Sequence, residues 1–149
     1  MKLTHFTLLL LTFAFVSGCS SCKSEGKPSE NRGLIIKSFS LPECAGTPQN
    51  LPDELVINND STLLFYFPES SSCEWPIDLE NVTLLRYPSS GKCNVQIIRE
   101  VKTDNKGGYV YQKSISECGN CALSTYDEGW VIADVDDDEA GFTFRTIRN

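Results

Sequence analysis

Apolar positions along the chain form one nearly continuous block near the start and then a series of short alternating runs. The block is Phe6 to Val16, preceded by Lys2 and followed by the small residues Ser17 and Gly18. A basic start, an apolar stretch and small residues beside a scissile bond predict a removable export signal over residues 1–18. The stretch is too short to cross a bilayer core of about 30 Å. Between Ser20 and Gly33 only Cys22 lacks polar or backbone-breaking character. Residues 19–33 are therefore expected to form an anchor and solvated tether, reaching roughly 20 Å at a coil scaling of about 5–6 Å × √n.

Folded structure is expected from Leu34, where β-branched and apolar residues begin to recur between turn clusters. Strand patterns fall on Leu34–Phe39, Glu54–Ile57, Val82–Tyr87, Cys93–Val101, Tyr109–Ile115, Trp130–Val135 and Phe142–Ile147. Ser61–Phe67 reads either as one or two helical turns, capped by Asp60 or Ser61 and ended by Pro68, or as a buried strand. The loop from Pro42 to Pro52 looks irregular, and no long amphipathic helix or internal repeat is present. The clearest local pattern is a hairpin closed by Asn105-Lys106-Gly107 with Gly107 left-handed. That closure sets Val101 opposite Tyr111 and Ile97 opposite Ile115, which gathers apolar side chains on one face. The fold class is all-β: a small antiparallel β-sandwich or partly open barrel with room for one short helix, stabilised by disulfides, as a single domain over residues 34–149.

Val16-Ser17-Gly18-Cys19 resembles the lipobox of bacterial lipoproteins. The resemblance implies cleavage before Cys19, a diacylglyceryl group on its sulfur and acylation, with palmitate expected, of the new amino group. Several chains at about 0.8 kcal/mol per buried methylene hold a protein on a membrane where one chain does not. Ser20 is not the aspartate associated in that family with inner-membrane retention, which implies a lipid-anchored location in the outer membrane.

Loss of the signal changes the available chemistry, because the chain has one His and one Met and both, His5 and Met1, lie within it. Without histidine, Ser-His-Asp and Cys-His catalysis and His-based zinc sites are excluded. The remaining chain carries 12 basic against 20 acidic residues, a net charge of −8. No basic cluster marks a nucleic-acid partner. From Glu117 onward, eight carboxylates face only Arg145 and Arg148.

Six cysteines besides Cys19 would lie in an oxidising compartment, where disulfides persist. Fifteen connectivities are available to six cysteines. Cys44 with Cys73, and Cys93 with Cys121 or Cys118, are the expected pairs. The three-residue hairpin loop leaves Cys121 two positions beyond the partner of Cys93, whereas a two-residue loop sets Cys118 opposite it. Cys118-Gly119-Asn120-Cys121 has the spacing of a redox dithiol, but no βαβ pattern precedes it.

Asp134, Asp136 and Asp138 are weak calcium candidates, since the run lacks the glycine at the sixth position and the glutamate at the twelfth of a calcium loop. The simpler reading is a solvated hairpin turn between Trp130–Val135 and Phe142–Ile147. Phe65, Tyr66 and Phe67 stand consecutively, so at least one of them is exposed unless both faces of a strand are covered. Trp75, beside Pro76, reads as a cap on the edge of the core or as an exposed contact.

Pro76-Ile77-Asp78-Leu79, Ser90-Gly91-Lys92-Cys93, Trp130-Val131-Ile132 and the Phe-rich last strand, taken in order, resemble small uncharacterised bacterial envelope lipoproteins. Some of these look similar to an accessory domain of a protease complex. The resemblance spans most of the domain and brings no catalytic residue, metal or cofactor with it. The expected function is a non-enzymatic binding or accessory module whose partners are the membrane, through lipid on Cys19, and an envelope protein, with no nucleic acid. The alternatives are an inhibitor or accessory of an envelope hydrolase or protease, and a thiol-disulfide redox protein using Cys118 and Cys121.

Overall fold

The computed structural model describes residues 29–48, 50–92, 94–118, 124–135 and 141–149, with backbone only at Asn94 and Cys118. Among them are ten strands, one α-helix and two short 3-10 turns. The longest pairing is the expected hairpin, β6 (Asn94–Thr103) against β7 (Tyr109–Cys118). Its register places Val101 opposite Tyr111 and Ile97 opposite Ile115. Gly107 turns the chain at φ 85°, a left-handed conformation that residues with a side chain adopt only at a cost. Asp104 sits at the other end of the turn. Its Oδ1 accepts from the Gly108 and Lys106 amides at 2.8 and 2.7 Å, and these bonds hold the carboxyl below its ordinary pKa.

Two further strands flank this hairpin, both in parallel. β1 (Glu30–Gly33) lies along β6, and β10 (Phe142–Arg148) lies along β7, giving the order β1-β6-β7-β10. Neither pairing follows from the strand pattern alone. Structure begins earlier than Leu34, because four residues of the expected tether pair their backbones with β6, which needs no apolar side chains. The strand expected over Leu34–Phe39 is present over its inner four residues, with a register break between Ile35 and Lys37, and Leu34 links the two sheets. The Leu34 amide donates to Val101 O in the first sheet, and its carbonyl accepts from the Asp134 amide on the side of the second, each at 2.8 Å. β2 (Ile35–Ser38) then belongs to the second sheet.

That second sheet has the order β2-β9-β4-β3, all antiparallel, with β3 at Leu55–Ile57, β4 at Thr83–Arg86 and β9 at Trp130–Ala133. Every residue of β4 and β9 is buried. These two strands do not alternate in polarity because both of their faces are covered. On one face Leu55, Ile57, Leu84, Trp130 and Ile132 pack with Leu63 and Phe67 of the helical layer. On the other, Leu85, Val131 and Ala133 pack with Val101 and Tyr111 of the first sheet. The result is three layers, with the helical segment, the second sheet and the first sheet in that order.

β5 (Ser89–Lys92) and β8 (Ser124–Asp127) pair as a separate ribbon, which the sequence pattern does not predict. It continues the β4/β9 pairing in unchanged register: Arg86 stands opposite Trp130, the Tyr87 amide donates to Gly129 O at 3.2 Å, and Ser89 stands opposite Asp127. The Gly129 amide donates to Asp127 Oδ1 at 2.6 Å instead of to Tyr87 O, so the ladder is interrupted there and the ribbon bends at Gly129, whose φ is 68°. The hairpin expected between Trp130–Val135 and Phe142–Ile147 is not formed, because β9 and β10 do not pair with one another. β9 and β10 lie in different sheets, so the chain crosses between layers.

Candidate functional site

Among the described residues, the helical layer carries the most exposed large apolar side chain, Phe65. Helix α1 (Asp60–Tyr66) is capped by Asn59, whose Oδ1 accepts from the Thr62 amide at 2.8 Å. The helical alternative for this segment is the observed one, with the cap one residue before the expected Asp60. Asn at this position satisfies an otherwise unpaired helical amide and favours a helix start by about 1 kcal/mol over alanine. Pro68 ends the helix and opens a 3-10 turn over Pro68–Ser72, in which Ser70 Oγ donates to Phe67 O at 2.6 Å.

Helical spacing decides which apolar residues are exposed. Leu63 and Phe67, four apart, share the inner face and are buried. Leu64 and Phe65 fall on the outer face and are 42% and 74% exposed. The Phe65 ring meets only the edge of Tyr66, 4.9 Å between centroids. Burying a phenylalanine side chain is worth roughly 1.5–3 kcal/mol, so this pair forgoes several kcal/mol of stabilisation in the isolated chain.

The support beneath this tip is rigid. Cys73 follows the Pro68–Ser72 turn and is joined by a disulfide to Cys44 in the 3-10 turn Glu43–Ala45, with Cα atoms 5.4 Å apart. This is the pairing expected from the sequence. Trp75 lies over the core edge beside it, stacked on Phe39 at 6.1 Å and edge-on to Phe67 at 5.3 Å. Of its two readings, the core cap is the one observed. Two clefts flank α1. One, about 230 Å³, runs between Leu64 and Trp75; the other, about 520 Å³, is walled by Asp60, Asp78 and Glu80. The acidic residues thus gather at the N-terminal end of α1.

A second polar constellation is buried at the bend of the ribbon. The inner face of the hairpin places Arg99 directly opposite Lys113, both under 10% exposed. Arg99 pairs with Asp127, and the Lys113 ammonium donates to Pro88 O and lies over the Tyr87 ring at 3.4 Å. Tyr111 OH donates to Gly129 O at 3.3 Å. Arg86 reaches Glu128 at 2.8 Å and Pro52 O at 2.7 Å. Gly129 O thus accepts from the Tyr111 hydroxyl as well as from the Tyr87 amide, while Pro88 O and Pro52 O, which lie outside the strand ladders, are satisfied by Lys113 and Arg86. Burial, with Arg148 and Arg99 nearby, pushes the Lys113 pKa down, and burial pushes the Tyr111 pKa up against the opposing effect of Arg99. A cleft of about 430 Å³ reaches this bend, but Arg99 and Asp127 neutralise one another in its wall. The constellation ties three strand pairs together, and Lys113, its cation without a carboxylate in ion-pair distance among the described residues, is buried against Pro88 O and the Tyr87 ring.

The other sequence candidates are only partly placed. Cys19, Cys93, Cys121, Asp136 and Asp138 lie outside the described residues, and Cys118 contributes only its backbone, opposite Asn94. Asp134 is exposed just past β9, and no group of three or more His, Cys, Asp or Glu able to hold a metal is found among the described residues. The sequence reading missed Arg99, Lys113 and Asp127. Their signal is the alternation Ile97-x-Arg99-x-Val101 and Tyr111-x-Lys113-x-Ile115, which puts both cations on the apolar face. It also left Phe65 unassigned among three aromatics, since only a helical period singles it out. What emerges is a layered, disulfide-bonded β domain with a rigid apolar tip. Compared with protein-family models, curated proteins and solved structures, the chain matches none.

Proposed function

We propose that the protein is a membrane-anchored bacterial lipoprotein of the cell envelope, held in the outer membrane by lipid on Cys19 and acting as a non-enzymatic binding or accessory module. The observation that carries the binding role is the exposed Leu64-Phe65 pair, presented on a capped, disulfide-backed helix. A large aromatic fixed at a protruding position is the kind of anchor that fills a partner's pocket. The carboxylates of Asp60, Asp78 and Glu80 around the N-terminal end of the same helix favour a partner of opposite charge. That charge preference suits an inhibitor or accessory of a cationic envelope hydrolase or protease, the sharper form of the same reading.

Photo-crosslinking in intact envelopes tests the binding role. A benzoylphenylalanine replacing Phe65 is expected to form a discrete protein adduct, while the same group replacing exposed Lys106 forms none; equal adducts at both positions, or none at either, overturn the role of the tip. Labelled palmitate is expected to enter the wild-type protein and not the Cys19→Ala variant, and an unlabelled wild type overturns the anchor.

A further inference from the structure

The four outer edges of the two large sheets are not alike. β1 and β2 have four residues each, with a register break between Ile35 and Lys37 in β2, and β3 has only three. Short or broken strands make poor templates for another chain. β10 runs for seven residues, Phe142 to Arg148, without proline and in unbroken register along β7. Its composition, two Phe, two Thr and one Ile among seven, is that of a strong strand former.

The direction of its backbone groups follows from its two ends. Gly141 O accepts from the Tyr109 amide at 2.9 Å, and the Asn149 amide donates to Ile115 O at 3.1 Å. Amide and carbonyl of one residue point the same way, and the direction alternates along a strand. Odd-numbered residues of β10 thus face β7, and Phe142, Phe144, Thr146 and Arg148 turn theirs to the open side. The even side chains face inward, where Phe144 meets Tyr87 at 5.1 Å and the Thr146 and Tyr87 hydroxyls are 2.7 Å apart. Thr143, Arg145 and Ile147 are exposed on the outer face. Arg148 is paired with Glu117 at 2.9 Å, whereas Arg145 has no ion-pair partner among the described residues.

We propose that the open edge of β10 accepts an extended segment of another protein as an added strand, with a carboxylate of that segment facing Arg145 and an apolar side chain beside Ile147. Main-chain bonds would supply affinity, and the alternate side chains specificity. A second copy is disfavoured as the occupant, because fully overlapped antiparallel β10 strands set Arg145 against Arg145, and like charges directly opposed destabilise a pair. This surface is separate from α1 and goes beyond the binding role assigned to Phe65.

Site-resolved amide exchange on the folded protein tests the proposal, using a capped seven-residue peptide with glutamate at its fourth position, valine at its second and sixth and threonine elsewhere, so that glutamate and valine share one face, and a twin with lysine in place of glutamate. With about 1 mM of the glutamate peptide, exchange at Phe144 and Thr146 is expected to slow by about tenfold, while the already protected amides of Arg145 and Ile147 do not change. Arg145→Glu, on an exposed residue, is expected to reverse the preference between the two peptides. Unchanged exchange at Phe144 and Thr146 overturns the proposal. Equal slowing by both peptides, or slowing that follows protein concentration without peptide, overturns the acidic partner and makes the edge a general or self-pairing one.

Discussion

The bend in the β4–β5/β8–β9 ribbon rests on Gly129, and replacing that residue separates backbone conformation from close packing. Gly129 has φ 68°, and a Cβ added there would lie 2.1 Å from Tyr87 O, 2.6 Å from Tyr87 C and 3.1 Å from Pro88 N. Gly107, at φ 85°, has nothing within 4 Å of the same position. Alanine at Gly107 therefore carries only the left-handed cost, about 1–2 kcal/mol. Alanine at Gly129 carries that cost and must also push the two strands apart. The Tyr87 amide and the Tyr111 hydroxyl would then lose their bonds to Gly129 O, at 3.2 and 3.3 Å. At roughly 1 kcal/mol for each bond, Gly129→Ala should cost about 3–4 kcal/mol, about 2 kcal/mol more than Gly107→Ala.

A loss of that size is a large part of the roughly 5–15 kcal/mol by which a domain is stable. At about 3–6 °C per kcal/mol for a chain of this size, Gly129→Ala should melt about 10–20 °C below the wild type. Urea unfolding followed by the fluorescence of Trp75 and Trp130 measures both variants on one scale, with the slope expected to stay constant. If Gly129→Ala costs no more than Gly107→Ala, the ribbon is not closed at Tyr87 as described, and the account of the bend is wrong.

Removing the disulfide by Cys44→Ala together with Cys73→Ala releases a loop with a sequence separation of 29 and should cost about 3–4 kcal/mol in the same urea assay; an unchanged midpoint would show that the helical layer does not depend on it. The lowered Lys113 pKa means that the unfolded chain holds this proton more tightly. Stability should therefore rise with pH between the folded-state pKa of Lys113 and its ordinary value of 10.5. Tyr111, with its pKa raised, acts oppositely, and its contribution is lost as pH climbs above about 10. Lys113→Met should flatten the first slope and leave the second; a slope unchanged by Lys113→Met would remove Lys113 as its source.

The hairpin was legible because its determinants are local. The alternation of Ile97, Val101, Tyr111 and Ile115 demands one register, and Gly107 supplies the left-handed residue that a three-residue loop requires. The central strands β4 and β9 were legible for a different reason, since a short apolar run needs only burial and not a partner to be recognised. The parallel placements of β1 and β10 were not legible. A strand's own residues state which face is apolar but not which neighbour it takes, and a crossover such as the one between β9 and β10 leaves no turn signature. Ser89–Lys92 was invisible as a strand because Ser, Gly and Lys carry little strand preference, and Ser124–Asp127 because Thr125 and Tyr126 alone are too short a run to stand out. They pair because β4 and β9 deliver them to each other in register.

The same distinction explains why the exposed tip and the buried cations were missed. Ser61–Phe67 supports both a helical and an extended reading, and the two predict different exposed aromatics. A helix buries Leu63 and Phe67 together and exposes Leu64 and Phe65, whereas a strand would put Phe65 and Phe67 on one face. What decides is outside the segment: Asn59 accepting from Thr62, Pro68 ending the helix, and the Cys44–Cys73 bond fixing the turn that follows. Arg99 and Lys113 sit on the apolar face of the hairpin because carbonyls and a carboxylate wait there, at Pro88 and Asp127. Pro88 O lies at a non-bonded position of the ribbon and is left for Lys113, while Asp127 holds both the Gly129 amide and Arg99. The ionic constellation and the bend thus share Asp127, and substitutions that straighten the ribbon at Gly129 should disturb the Arg99 pair as well.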